Sequence, residues 1–153
     1  MIAALRPDAW ALPLFLHVLG SIALAGTVTA AAILAAAARH QRTQPRVALL
    51  RRLAFRTLLF ASLPAYVLMR GGAQWILDRE DISGDPTWLG IGFAISDAGF
   101  VVLLALIVLA AISSRSADRG GGGNATAMAV VLLAPVYLAG LAVAWWAMTA
   151  KPG

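Results

Sequence analysis

The sequence has no cysteine and few charged residues. Without cysteine, the chain cannot form a disulfide scaffold, a cysteine–zinc site or an iron–sulfur cluster. Charged residues make up 12% of the 153 residues, against about 25% in an ordinary soluble domain. Hydrophobic residues make up 61%. This composition excludes a typical water-soluble enzyme, and it also excludes an intrinsically disordered chain.

The few charged residues leave four long uncharged or nearly uncharged stretches. These stretches are residues 12–38, 57–77, 88–114 and 125–150, and each contains at most one Asp, Glu, Lys or Arg. A bilayer core of about 30 Å requires about 20 apolar residues in a helix. The sequence therefore predicts an all-α membrane protein, in which residues 1–153 form a single bundle of four transmembrane helices. The first stretch is too long for the apolar part of a signal peptide, so we expect it to be retained.

The loops between the predicted helices differ in charge, and this difference predicts the topology. The first loop carries six arginines and no acidic residue: Arg39, Arg42, Arg46, Arg51, Arg52 and Arg56. The second loop carries four acidic residues and one arginine, and the third carries two arginines and one aspartate. Because cytoplasmic loops are enriched in Arg and Lys, loops one and three are predicted to be cytoplasmic and both termini outside.

The same charges and the overall composition indicate a location and partners. The alanine- and arginine-rich composition indicates a bacterial source, so we expect a multi-pass protein of the inner (plasma) membrane. The basic segment from Arg39 to Arg56 is predicted to contact anionic lipid headgroups. No nucleic-acid partner is expected, because no nucleic-acid-binding motif accompanies the positive charge.

Prolines and small residues inside the stretches bear on helix packing. Pro64 and Pro135 lie within the second and fourth predicted helices, where each removes a backbone hydrogen bond and is expected to kink its helix. The kinks are consistent with two roles, which are adjustment of helix packing and formation of a gate. We favour a role in packing. Ser21, Ala25 and Thr29 recur every four residues in the first helix, which favours close approach of a neighbouring helix.

Three ionisable residues interrupt the predicted spans: His17, Arg70 and Asp97. At a rise of 1.5 Å per residue, they lie roughly 8, 10 and 14 Å from the outer ends of their helices. Charged groups in a span are costly, so they usually face the bundle and have partners. Because their depths agree, we predict an ion pair between Arg70 and Asp97 that joins the second and third helices.

Other polar side chains could extend this pair into a site. Tyr66, Arg70 and Gln74 are spaced four apart and so share one helix face, and Ser96 and His17 could complete the cluster. Two interpretations stay open. The pair could fix the register of the helices, or the cluster could bind a small polar ligand, an ion or a relayed proton.

Evidence for catalysis is weaker. The sequence shows no motif of a nucleophile beside a base, so no catalytic residue is predicted. It also shows no cluster of metal ligands, and His17 stands alone in its span. We therefore favour a non-enzymatic role.

The start of the first helix carries a resemblance to known families. It reads Phe15-Leu16-His17-Val18-Leu19-Gly20, with a further glycine at Gly26. This pattern resembles the first helix of small bacterial families of integral membrane proteins with four spans. It is more distantly similar to the CopD-like copper-resistance and HemJ-like protoporphyrinogen oxidase families. That similarity implies that His17 is a functional residue or a haem ligand. A second axial ligand would then come from another residue type or a partner chain.

Three functions follow from these observations. The favoured one is a non-enzymatic scaffold or accessory membrane subunit that contains the Arg70–Asp97 pair. The second is a transporter or channel-like oligomer for protons or a small solute, which would use Arg70, Asp97 and His17. The third is a haem-linked redox membrane protein of CopD or HemJ type that uses His17. We expect a homo-oligomer or other membrane subunits as partners.

Overall fold

The computed structural model describes residues 11–79, 86–121 and 124–151, and these residues fold into helices joined by short connections. The elements in chain order are α1 (Ala11–Arg39), α2 (Gln44–Thr57), a π-helical turn (Leu58–Ser62), α3 (Leu63–Leu77), α4 (Thr87–Asp118) and α5 (Asn124–Ala150). The chain continues from α2 through the π turn into α3 as one long helix. Four helices are therefore long and apolar enough to cross a membrane, which confirms the predicted four-helix bundle.

The second helix begins at Gln44, well before the predicted start at residue 57. The basic segment that precedes residue 57 is helical from Gln44 and continuous with the second span. Pro45 follows Gln44 in the first turn, where its missing N–H has no helical partner to lose. Arginine is also a good helix former, so the basic cluster extends the helix instead of ending it.

The backbones of α1 and α3 lie in direct contact along a surface that we call the α1–α3 seam. A Cβ atom added to Gly20 would lie 2.8 Å from the carbonyl oxygen of Ala65, and one added to Gly72 would lie 2.7 Å from that of Pro13. Both positions therefore require glycine. In lipid, such small residues allow backbones to approach closely and gain dispersion contacts.

The interior of the bundle is apolar and lies beside this seam. Its fully buried side chains include Leu24 and Val28 of α1 and Leu103 and Leu106 of α4. Helix α4 packs along α5, where Gly99 abuts the ring of Tyr137. By contrast, the backbones of α3 and α4 lie apart, and the two helices meet through the side chains of Tyr66 and Arg70. The bundle is therefore closed on the α1 side of α3 and open on its α4 side.

The π turn lies directly before Pro64, which is in the first turn of α3. Proline has no N–H to donate, and its ring crowds the carbonyl group four residues earlier, which for Pro64 is that of Phe60 in the π turn. The buried hydroxyl of Ser62 donates to Thr27 Oγ1 at 2.9 Å, and the Thr27 hydroxyl donates to the Ala23 carbonyl at 2.7 Å. The backbone thus accommodates Pro64 with a wider turn that is tied to α1. Pro135 lies inside α5, which the structure assigns as one uninterrupted helix.

Candidate functional site

The open side of the bundle contains a cleft of about 500 Å³ between α1, α3, α4 and α5. Small-molecule sites commonly have volumes of about 300–1,000 Å³. Most of the wall is apolar, and it includes the indole rings of Trp88 and Trp145. Polar side chains reach the cleft from all four helices that line it: His17 of α1, Arg70 of α3, Ser96 of α4 and Thr149 of α5. This combination of apolar walls and a few polar groups is typical of a ligand site.

The imidazole of His17 is held in a fixed orientation on the cleft wall. Its Nδ1 lies 2.8 Å from the carbonyl oxygen of Met69. Because a carbonyl oxygen only accepts hydrogen bonds, Nδ1 carries the proton and donates it. In the neutral ring, Nε2 is then left as the acceptor. The close α1–α3 seam makes this bond possible, since Gly20 and Gly72 bring the two backbones within reach of one imidazole.

Arg70 and Asp97 lie together across the open side, as an ion pair between α3 and α4. The distance from Arg70 Nη2 to Asp97 Oδ1 is 3.5 Å, which is long for such a pair. The Arg70 guanidinium also lies over the ring of Phe93, 4.5 Å from its centroid. The Arg70 side chain is 29% exposed and the Asp97 side chain 67% exposed. Arg70 therefore lines the cleft, whereas Asp97 faces outward from the bundle.

The structure places Tyr66 and Gln74 away from the cleft, although both were grouped with Arg70. The Tyr66 hydroxyl donates to the Ser96 carbonyl oxygen at 3.2 Å, and its ring stacks on Phe100 at 5.1 Å. Gln74 Nε2 donates to Asp78 Oδ1 at 3.0 Å, near the end of α3. The two residues share a face but lie about 12 Å apart along the helix axis. One site therefore does not reach both of them.

Several residues of the cleft carried no chemical signal in the sequence. Phe93, Met148 and Trp145 form much of the wall, yet each is an apolar residue in an apolar helix. Tryptophan is typical of the membrane–water interface, so Trp88 and Trp145 are expected near helix ends whether or not a cleft is present. Trp10 lies outside the described residues.

Haem is the cofactor that the sequence resemblance implied, and the cleft can be tested for it. His17 offers Nε2, with its other nitrogen bonded to a backbone carbonyl, which is the usual arrangement of a ligating histidine. The thioether of Met148 also lines the cleft, and methionine is a second residue type that ligates haem iron. His17 and Met148 are therefore the side chains that would hold a haem here. Among the described residues, no group of three or more His, Cys, Asp or Glu could hold a separate metal ion.

At the opposite end of the bundle, two arginines bind other side chains of the same chain. Arg51 is only 3% exposed, and its Nη2 donates to Asn124 Oδ1 at 2.8 Å. Arg52 Nη2 lies 2.9 Å from Asp118 Oδ1. The prediction that the whole segment from Arg39 to Arg56 contacts lipid headgroups is therefore wrong for Arg51, because its guanidinium is buried among α2, α4 and α5.

Comparison of the chain with models of protein families, with curated proteins and with solved structures finds no match. The similarity of residues 15–20 to the CopD-like and HemJ-like families stays a prediction. The function is therefore argued from the cleft and its side chains.

Proposed function

We propose that this integral membrane protein binds a lipid-soluble small molecule in the cleft. The observation that carries the proposal is the 500 Å³ cleft, whose apolar walls converge on Arg70 and His17. The apolar walls favour a hydrocarbon chain or a ring as the body of the ligand. Arg70 only donates hydrogen bonds, so it selects a carboxylate, phosphate or carbonyl oxygen at the head. His17 Nε2 accepts a hydrogen bond, for example from a hydroxyl group.

The surroundings of Arg70 suit it to this role. Phe93 supports the guanidinium from one side, and Asp97 holds it at 3.5 Å from the other. A bond of this length leaves N–H groups of the guanidinium free for a ligand oxygen. Since the backbones of α3 and α4 lie apart, an elongated molecule has access to Arg70 from the lipid between these helices.

Quenching of tryptophan fluorescence tests the proposal, because Trp88 and Trp145 line the cleft. The probe is a fatty acid brominated on its chain, added to the purified protein in detergent. We expect saturable quenching, and an Arg70→Met variant should raise the Kd at least about tenfold through loss of a charge-assisted bond. The methyl ester of the same fatty acid should bind the wild type more weakly. Arg52→Met, at the other end of the bundle, is the matched control.

Equal binding of the acid and its methyl ester would show that Arg70 does not recognise the head group. Unsaturable quenching, the same in all variants, would mean that the probe merely partitions into the detergent. Either result contradicts the proposal.

A second candidate function is haem-linked electron transfer, and the orientation of His17 favours it. A bound haem would supply one-electron redox chemistry. In that case Met69 fixes the tautomer of His17 through its carbonyl oxygen, and Arg70 is available to bind a propionate group. After haem is added to the purified protein and unbound haem is removed, a Soret band should remain with the wild type and be lost in His17→Leu. His40→Leu, just beyond the far end of α1, should leave the band unchanged. A wild-type protein without a Soret band would contradict this function.

The outward position of Asp97 favours the accessory-subunit role that the sequence suggested. A carboxylate that is 67% exposed within a span is costly in lipid, and a neighbouring subunit would cover it. If so, Asp97→Asn should shift the protein from a complex to a monomer in mild detergent, as measured by light scattering. A transporter or channel-like role would use the same residues and stays a prediction.

A further inference from the structure

The polar side chains of the cleft differ in what they offer to a ligand. Arg70 offers only N–H donors. The hydroxyl of Thr149 donates to the carbonyl oxygen of Trp145 at 2.9 Å. The hydroxyl of Ser21, which also lines the cleft, donates to the carbonyl oxygen of His17 at 2.7 Å. Both hydroxyl hydrogens are used within their own helices, so each of these hydroxyls presents to a ligand only an accepting oxygen.

The Nε2 atom of His17 is the strongest neutral acceptor on this wall. Because Nδ1 donates to the Met69 carbonyl oxygen at 2.8 Å, the lone pair of the neutral imidazole is on Nε2. Among the described residues that line the cleft there is no Asp or Glu to compete with this nitrogen for a donor. An acceptor that a ligand covers without bonding to it costs free energy. A tightly bound ligand must therefore donate a hydrogen bond to Nε2.

This requirement narrows the head group of the ligand. Carboxylate, phosphate and ketone oxygens accept hydrogen bonds from Arg70, but they have no hydrogen to give to His17. A hydroxyl group donates through its hydrogen and accepts through its oxygen, so it serves both residues. Arg70 directly follows Met69, whose carbonyl holds the imidazole, so the two side chains reach the cleft from neighbouring points of the α1–α3 seam. The cleft therefore favours a head group that carries a hydroxyl.

The walls favour an aromatic hydroxyl over an aliphatic one. Trp88, Phe93 and Trp145 line the same cleft. Aromatic rings attract one another by more than the area they bury accounts for. A phenolic hydroxyl, with a pKa of about 10, is also more acidic than an aliphatic alcohol and so donates a stronger hydrogen bond to a basic nitrogen. A ring that carries a hydroxyl satisfies both the walls and the polar groups.

We propose that the ligand of the cleft is a phenolic lipid, which is an aromatic ring with a hydroxyl group and a hydrocarbon tail. Hydroquinones belong to this class. The hydroxyl donates to His17 Nε2, a ring oxygen accepts from Arg70, and the tail passes between α3 and α4 into the lipid. This inference rests on the proposed function, because it names the head group bound in the same cleft. A methyl ether or a quinone with the same ring has no O–H and binds more weakly.

Displacement of the brominated fatty acid from the purified protein in detergent tests the head group. The competitors are para-decylphenol, its methyl ether para-decylanisole, and hexadecanol, an alcohol with the same number of carbons as the phenol. Tryptophan is excited at the red edge of its absorption, where phenols do not absorb, and recovery of its fluorescence reports displacement. We expect the phenol to displace the fatty acid at a concentration at least about tenfold below that of the ether. The alcohol should require several times more than the phenol.

Variants assign the preference to one nitrogen atom. In His17→Asn, the side-chain amide can still donate to the Met69 carbonyl oxygen, but the acceptor at the position of Nε2 is gone. This variant should displace the fatty acid equally well with the phenol and with its ether. His40→Asn, just beyond the far end of α1, is the matched control and should keep the preference of the wild type. The comparison of phenol and ether on the wild type needs no variant, so it stands even if His17→Asn does not fold.

The outcomes separate this inference from the proposed function. Saturable quenching by the fatty acid, with equal displacement by the phenol and its ether, would overturn the phenolic head group and leave the proposed function standing. Equal displacement by the phenol and the alcohol would overturn it too, as would an unchanged preference in folded His17→Asn. Unsaturable quenching by the fatty acid would instead contradict the proposed function, and the phenolic ligand with it.

Discussion

Helix α3 has two neighbours and meets them in different ways. On one side, its backbone lies against that of α1, because Gly20 and Gly72 remove the side chains that would separate them. On the other side, it reaches α4 mainly through long side chains, namely Tyr66 and Arg70. Small residues close a contact between helices in lipid, and large residues hold it open. The closed seam fixes the orientation of His17, and the open side provides the space that His17 faces.

The largest expected effect comes from filling the closed seam. Gly20→Leu would drive a side chain into the backbone of α3 at Ala65 and Met69. Neither backbone can move without disturbing the seam, so we expect a loss of about 3 kcal/mol or more in the free energy of unfolding. Folded yield in detergent and Tm measure the change.

Gly26→Leu is the matched control on the same helix. A Cβ atom at Gly26 meets no atom within 4 Å, so this variant should fold like the wild type. If both variants were equally stable, close backbone contact would not hold α1 and α3 together, and the contrast between the two sides of α3 would fail.

An intermediate effect is expected from the ion pair on the open side. Arg70→Met and Asp97→Asn each leave one charge without its partner inside a span, whereas the double variant removes both charges. We expect each single variant to be less stable than the double variant, with a coupling energy of about 1 kcal/mol. Unfolding in a denaturing detergent series gives the four free energies. Additive effects would mean that the pair contributes nothing to joining α3 and α4.

The smallest effect should come from the hydrogen bond between Tyr66 and the Ser96 carbonyl. Tyr66→Phe keeps the ring and its stacking on Phe100 but removes the 3.2 Å bond. A loss of about 1 kcal/mol is expected, measured as a fall in Tm. Tyr137→Phe changes another buried tyrosine, on α5. If Tyr66→Phe were no worse than Tyr137→Phe, the bond would not help to hold the open side together.

The sequence predicted the spans well, because a lipid environment expels charge so strongly that charge-free stretches reveal them. It also predicted the Arg70–Asp97 contact, since a common depth is what allows two charges on neighbouring helices to meet. Depth does not give the direction in which a side chain points. The outward position of Asp97 depends on how α4 is rotated about its axis, and no local pattern encodes that rotation.

The burial of Arg51 was likewise beyond prediction. In the sequence it is one of six arginines in a basic cluster, and nothing distinguishes it from Arg52 beside it. Successive residues of a helix are separated by about 100°. One arginine therefore faces the bundle, while the other reaches Asp118 at the surface. The small side chains of Ala35, Ala54 and Ala127 leave room for the buried one.

The π turn at Leu58–Ser62 lies between the two arginines that matter most. A π turn takes up one extra residue without rotating the α-helix on either side of it. Arg51 and Arg70 are 19 positions apart, so with one residue taken up they are related by 18 steps of about 100°, which is five full turns. The two side chains therefore lie on the same face of one continuous helix, where Arg51 enters the bundle and Arg70 lines the cleft. Phe60, which is 71% exposed, is the residue of the turn whose deletion would cost the least packing. We expect its deletion to restore a regular helix in which both arginines keep their positions.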